Sequence, residues 1–167
     1  MEEQIRADEH ATTGPDDAAF DDILASLPLT TYRTGETVLS AGLKTARLLF
    51  LKQGAVAIFK DSIEIATVEQ PGAVFGELGA LLNRPHTADV RALEDSQFYV
   101  ADAALLRENP IALFHIARIL AHRLVATDTG LVELKKQLQA GQPPSALRKM
   151  LAKVEEVLNV GPAAQWA

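Results

Sequence analysis

The sequence predicts an α+β fold in which a β-barrel or sandwich is followed by helices. Three observations carry that expectation. From Thr31 to Val100 short β-prone runs are separated by turn signals about every eight to twelve residues. After Asp102 the texture becomes helical. Within the long run from Ile111 to about Gln139, Leu113, Ala117, Leu120, Leu124, Thr127, Leu131, Leu134 and Leu138 recur at alternating steps of four and three, which is a heptad seam.

The 167 residues suffice for one domain with a proper core and an appendage. At 48% hydrophobic and 23% charged the chain reads as globular, and it holds no apolar run near the ~20 residues of a membrane span. Its first residues are acidic and polar, unlike a secretory signal. With no cysteine, disulfides and thiolate chemistry are excluded. A net charge of −6 argues against a broad nucleic-acid surface, which needs clustered Lys and Arg. The expectation is a cytoplasmic protein with neither a nucleic-acid nor a membrane partner.

Residues 1–18 are read as a flexible acidic tail, rich in charge and poor in large apolar groups. Phe20, Ile23, Leu24 and Leu27 then follow helical spacing behind Asp16-Asp17, acidic residues that suit a helix start, and Pro28 closes the helix. Arg33-Thr34-Gly35-Glu36 is a turn before Val38-Leu39. Leu48 to Leu51 is an apolar run, and Gly54 precedes Val56, Ile58 and Phe59. Asp61-Ser62 marks a hairpin ahead of Ile63 and Ile65, which alternate with Glu64 and Ala66. Glu94-Asp95-Ser96 turns into Phe98-Tyr99-Val100. Ala103 to Glu108 is a short helix ended by Asn109-Pro110, and the heptad run follows. Residues 19–140 thus form the principal domain, and 141–167 hold a Gly-Gln-Pro-Pro linker and a terminal amphipathic helix. That helix is capped by Ser145 and carries Leu147, Leu151, Val154 and Leu158 on one face. The seam has two readings: its first half can lie on the barrel, and the leucines beyond it suit pairing with another subunit, a homodimer through residues 111–139.

The stretch from Phe75 to Ala92 holds the chemistry. Pro71-Gly72 is a turn, Leu78 to Leu82 is long enough for about two helical turns, and Asn83-Arg84-Pro85 breaks them. A β-prone run, Thr87 to Ala92, follows. Gly76 before a short helix lets the backbone come close to a ligand, and a helix start with unpaired N–H groups attracts anions. Glu77 at the same point is suited to accept hydrogen bonds from hydroxyls. An anion and hydroxyls held side by side describe a sugar phosphate.

This stretch resembles the phosphate-binding cassette of the cyclic nucleotide-binding domain family, of the type found in catabolite activator protein and protein kinase A regulatory subunits. The family pattern is Phe-Gly-Glu-Leu-Ala-Leu, a short gap, then Pro-Arg-Ala/Ser/Thr-Ala-Thr-Val. Phe75, Gly76, Glu77 and Leu78 match it, as do Pro85, Thr87, Ala88 and Val90. The glycines at 35, 42, 54, 72 and 76 fall where the family carries turn glycines, so the resemblance covers roughly Phe20 to Leu138. It implies a β-roll, a jelly-roll-like antiparallel barrel, flanked by an N-terminal helix and by C-terminal helices that include one long dimerisation and lid helix. It also implies a ligand, cAMP or cGMP. Gly76 and the amides after it, including Gly79, would hold the cyclic phosphate, and Glu77 would bind the ribose 2′-hydroxyl. His86 stands where the family usually has the arginine that pairs with the phosphate, and Asp89 replaces a Thr or Ser. Arg84, two residues before His86, is the competing phosphate partner. The run Ala121-His122-Arg123-Leu124 and the pair Thr127-Asp128 resemble the helix that lids the pocket, where a Thr-Ser pair meets the purine. Thr127 equally suits a small polar residue at a seam.

Other chemistry is not nominated. His115 and His122 lie seven apart, without the i+4 partner that metals exploit, so no metal site is expected. No Gly-x-Ser-x-Gly, Walker or calcium-loop spacing appears, and nothing pairs a nucleophile with a base, so the chain reads as no enzyme. The winged helix-turn-helix of the transcription regulators in this family does not fit the residues after the long helix, and DNA binding is not carried over. Two readings remain. One is a regulatory sensor that signals to an unidentified protein effector by moving its long helix. The other is a degenerate domain kept for protein–protein interaction or dimerisation without nucleotide.

Overall fold

The computed structural model describes residues 15–141. The linker from Gln142 onward and the terminal helix expected at 145–160 lie outside the described residues, as do residues 1–14 of the acidic tail. In chain order the elements are α1 (Pro15–Ser26), β1 (Leu29–Tyr32), β2 (Thr37–Leu39), β3 (Arg47–Gln53), β4 (Val56–Lys60), β5 (Ile63–Val68), β6 (Val74–Phe75), α2 (Glu77–Leu82), β7 (Asp89–Ala92), β8 (Ser96–Asp102), α3 (Ala104–Glu108) and α4 (Pro110–Gln139).

The strands form two four-stranded sheets, ordered β1-β8-β3-β6 and β2-β7-β4-β5, and every pairing is antiparallel. The expected β-roll with flanking helices is the observed architecture. Strand β3 shows why the layers stack as they do. Leu48, Leu49, Phe50 and Leu51 are each no more than 1% exposed, so this strand is buried on both faces. Side chains alternate across a strand. Leu49 and Leu51 accordingly enter the core between the sheets with Leu39, Val56, Val68, Phe75, Val90 and Phe98. Leu48 and Phe50 face the opposite way and meet Phe20 and Leu24 of α1, Leu106 of α3, and Ala112 and Ile116 of α4.

Local chemistry fixes the connections. Asp61 and Ser62 both take positive φ, the geometry of the tight turn whose twist matches paired strands. Asn109 caps α4 by accepting from the amides of Ile111 and Ala112, and Pro110 occupies the first turn where its missing amide is not needed. At 30 residues α4 is about 45 Å long, much longer than the barrel contact requires. Ala112 and Ile116 are buried against the barrel and α1, whereas Leu124, Val125, Leu131, Val132 and Leu138 are exposed. Of the expected seam, Leu113, Ala117, Leu124, Thr127, Leu131 and Leu138 are exposed and only Leu120 packs on the barrel cluster. The seam therefore does not lie on the barrel in its first half; the neighbouring stripe of Ala112 and Ile116 makes that contact.

Candidate ligand-binding site

The site is built where β6 runs into α2. Gly76 takes φ 85°, and a Cβ there would collide with the Arg47 carbonyl oxygen, so only glycine makes this bend. The first intrahelical bond of α2 runs from the Ala80 amide to the Gly76 carbonyl at 3.0 Å. The amides of Glu77, Leu78 and Gly79 precede it, and they have no partner within the helix.

Glu77 is only 6% exposed, and its Oε1 accepts from Nη1 of Arg123 at 2.7 Å. The other guanidinium nitrogen of Arg123 donates to the Val74 carbonyl oxygen at 3.3 Å. One side chain of α4 thus clamps both the last strand before the site and the first residue of α2. The ion pair neutralises a carboxylate that burial alone would make costly.

His86 lies in the loop between α2 and β7 and is anchored three times to the loop between β2 and β3. Its amide donates to the Leu43 carbonyl oxygen and its own carbonyl accepts from the Gly42 amide, both at 2.9 Å. Its Nε2 stands 2.8 Å from Thr45 Oγ1. The opposite edge of the ring rests on Gly79, where a Cβ would stand 3.1 Å from Nδ1. Burial lowers the pKa of His86 below its usual 6.5, and the Glu77 carboxylate opposes that shift. The ring is neutral at pH 7. Asp89 serves the same loop, accepting from the Ala41 amide at 2.7 Å.

These residues surround an open depression lined by Phe75, Gly76, Glu77, Leu78, Gly79, His86, Thr87 and Ala88 from the cassette, by Leu39, Ile58, Ile65, Val74 and Val90 from the strands, and by Arg123 from α4. An apolar wall with a few convergent polar groups is the usual make-up of a small-molecule site. Residues 29–108 match the family model for the cyclic nucleotide-binding domain. They belong to that family.

Two solved structures, catabolite activator protein and PKAR CBD2, carry the same fold. The Thermus thermophilus catabolite activator protein is 22% identical, with a TM-score of 0.62 over 88% of this chain and 81% of that one. PKAR CBD2, solved with Sp-2Cl-cAMPS bound, is 21% identical, with a TM-score of 0.53 over 80% of this chain and 99% of that one. PfPKA-R, solved with cAMP bound, is 23% identical with a TM-score of 0.49, and the match covers 72% of this chain and 39% of the other. No curated protein matches the sequence.

Within this cyclic nucleotide-binding domain the cassette residues from Phe75 to Ala88 meet at the depression, but three of the expected site residues stand apart. Arg84 is exposed and does not line it. Thr127 and Asp128 are exposed on α4, and the Thr127 hydroxyl donates to the Arg123 carbonyl oxygen within the helix at 2.8 Å. The residues that the sequence reading did not single out are Arg123 and Thr45. Arg123 sits in the very run that resembles the lid helix, yet its partner Glu77 is 46 positions away. Thr45 carries no motif.

Proposed function

We propose that this chain is a regulatory module that binds a cyclic nucleotide, cAMP or cGMP, and passes the signal on through α4. The observation that carries this reading is the Glu77–Arg123 ion pair, because it joins the carboxylate of the cassette to the long helix. The cyclic phosphate would sit against the start of α2 with His86 as a neutral donor, and the ribose 2′-hydroxyl would donate to Glu77. A hydroxyl arriving at Glu77 must share the carboxylate with Arg123 or displace it, and either outcome changes what holds α4. The family match and the ligand of PKAR CBD2, whose fold this chain shares, support a cyclic nucleotide over other sugar phosphates.

The exposed leucines of α4 suit pairing with a second copy, and a homodimer through residues 111–139 would place two signalling helices side by side. An effector protein would then read the position of that pair.

One observation favours the second reading, a domain kept for protein–protein contact without nucleotide. Of the cationic side chains that line the depression, Arg123 is already paired with Glu77 and His86 is neutral. Equilibrium titration with cAMP, cGMP and, as control, 5′-AMP separates the two readings. Saturable binding of a cyclic nucleotide that the control does not compete away supports the sensor. Binding of none of the three supports the interaction module.

A further inference from the structure

His86 has two ring nitrogens and, being neutral, carries one proton between them. The nitrogen that meets a ligand is therefore either a donor or a lone pair, and an anion distinguishes sharply between the two. Nε2 faces the Thr45 hydroxyl at 2.8 Å, whereas Nδ1 has no hydrogen bond among the described residues and lies against Gly79 at the first turn of α2. The His86 amide and carbonyl are both tied to the loop at Gly42 and Leu43, which fixes the main chain that carries the ring, and the Thr45 contact sets the ring on it. The Thr45 hydroxyl has no other hydrogen bond among the described residues, so its hydrogen is free to point at the ring.

We infer that Thr45 is a positioning residue of this pocket: its hydroxyl donates to Nε2 of His86, holds the imidazole as the Nδ1–H tautomer, and leaves Nδ1–H as the donor that meets a bound anion. This rests on the cyclic-nucleotide reading of the depression. The reverse arrangement, with Nε2–H donating to Thr45, would turn the Nδ1 lone pair towards the phosphate and repel it. Thr45 thereby lets a neutral histidine stand in the place of a cation. The ligand it suits is a phosphodiester monoanion, which needs one directed donor here.

Nitrogen-15 NMR of the histidine rings in the ligand-free protein tests this directly, with His86 identified by the signals lost in His86→Gln. Wild type is expected to show a protonated Nδ1 and an unprotonated Nε2. In Thr45→Val, which keeps the shape and removes the hydroxyl, the proton should move towards Nε2, and cAMP affinity should fall about threefold to tenfold. Thr45→Ser keeps the hydroxyl and should restore both. Nε2–H as the main form in wild type overturns the inference, whatever the affinity. A tautomer change in Thr45→Val without loss of affinity overturns the role in binding. If wild type binds neither cAMP nor cGMP, the functional reading fails, and the tautomer of the ligand-free protein still decides what Thr45 does.

Discussion

The Glu77 carboxylate and the Arg123 guanidinium meet at 2.7 Å, and that contact ties the start of α2 to a residue nearly half-way along α4. Glu77 is buried, while 21% of the Arg123 side chain remains exposed, so the pair is neither a surface bridge of little worth nor a fully dry one. Whatever occupies the depression must come to terms with this pair.

Arg123→Ala should accordingly cost stability as well as coupling. It leaves a buried carboxylate without its cation, and about 2 kcal/mol is expected once the partial exposure of Arg123 is allowed for. Urea unfolding measures it. Adding Glu77→Gln to that variant removes the stranded charge and should recover part of the loss. Equal stability of Arg123→Ala and wild type would show that the pair contributes little.

His115 governs acid stability. Its ring is 4% exposed and stacks on Phe20 of α1 with centroids 3.7 Å apart, and its Nε2 has no hydrogen-bond partner among the described residues. Burial first, and the Arg118 guanidinium second, lower its pKa to about 4 against a smaller opposite pull from Asp17. A histidine whose folded pKa lies below its unfolded one stabilises the fold fully above pH 6.5, and that contribution is lost as pH falls from there towards 4. At 1.36 kcal/mol per unit, the loss between about pH 7 and about pH 5 is ~2 kcal/mol. His115→Leu should flatten this limb of the stability profile. A wild-type profile already flat over that interval contradicts the assignment.

His86 makes the affinity depend on pH in a defined direction. Burial holds its free pKa below 6.5, and a bound anion raises it. Binding of cAMP should therefore be level above both values and tighten as pH falls from the bound-state pKa towards the free one. His86→Arg supplies a permanent cation, so affinity should rise about tenfold and lose this dependence. Dissociation constants from about pH 5.5 to about pH 8.5 for both proteins check it. Heavy loss in Arg84→Ala, with no gain in His86→Arg, would make Arg84 the phosphate partner after all.

Much of the fold was legible because it is written in local chemistry. The glycines at 35, 42, 54, 72 and 76 all take positive φ, a backbone demand that shows in the residue type itself. The Asp61-Ser62 hairpin and the Asn109-Pro110 boundary were readable for the same reason. What local patterns did not disclose is pairing across the chain. The side-chain partner of His86 is Thr45, 41 positions earlier, and that of Glu77 is Arg123. Neither distance leaves a periodicity. The same holds for Asp89, which in sequence is a departure from a family pattern and in space is the acceptor for the Ala41 amide.

The open half of α4 should mediate association. Leu124 and Leu131 are 62% and 61% exposed in the single chain and lie on one seam. Placing glutamate at both would bury unpaired carboxylates between paired helices. Sedimentation should show wild type as a dimer and the double variant as a monomer with its β-rich circular dichroism intact. A wild type that sediments as a monomer at high concentration contradicts the pairing.

The most direct measurement is calorimetric titration of cAMP and cGMP into wild type and Glu77→Ala, each with its fold confirmed by circular dichroism. A hydrogen bond from a ribose hydroxyl to a carboxylate is worth ~1.5–3 kcal/mol, so Glu77→Ala should weaken binding about tenfold to a hundredfold or more. Cyclic nucleotide affinity that is unchanged in Glu77→Ala, or no binding to wild type at all, would contradict the account.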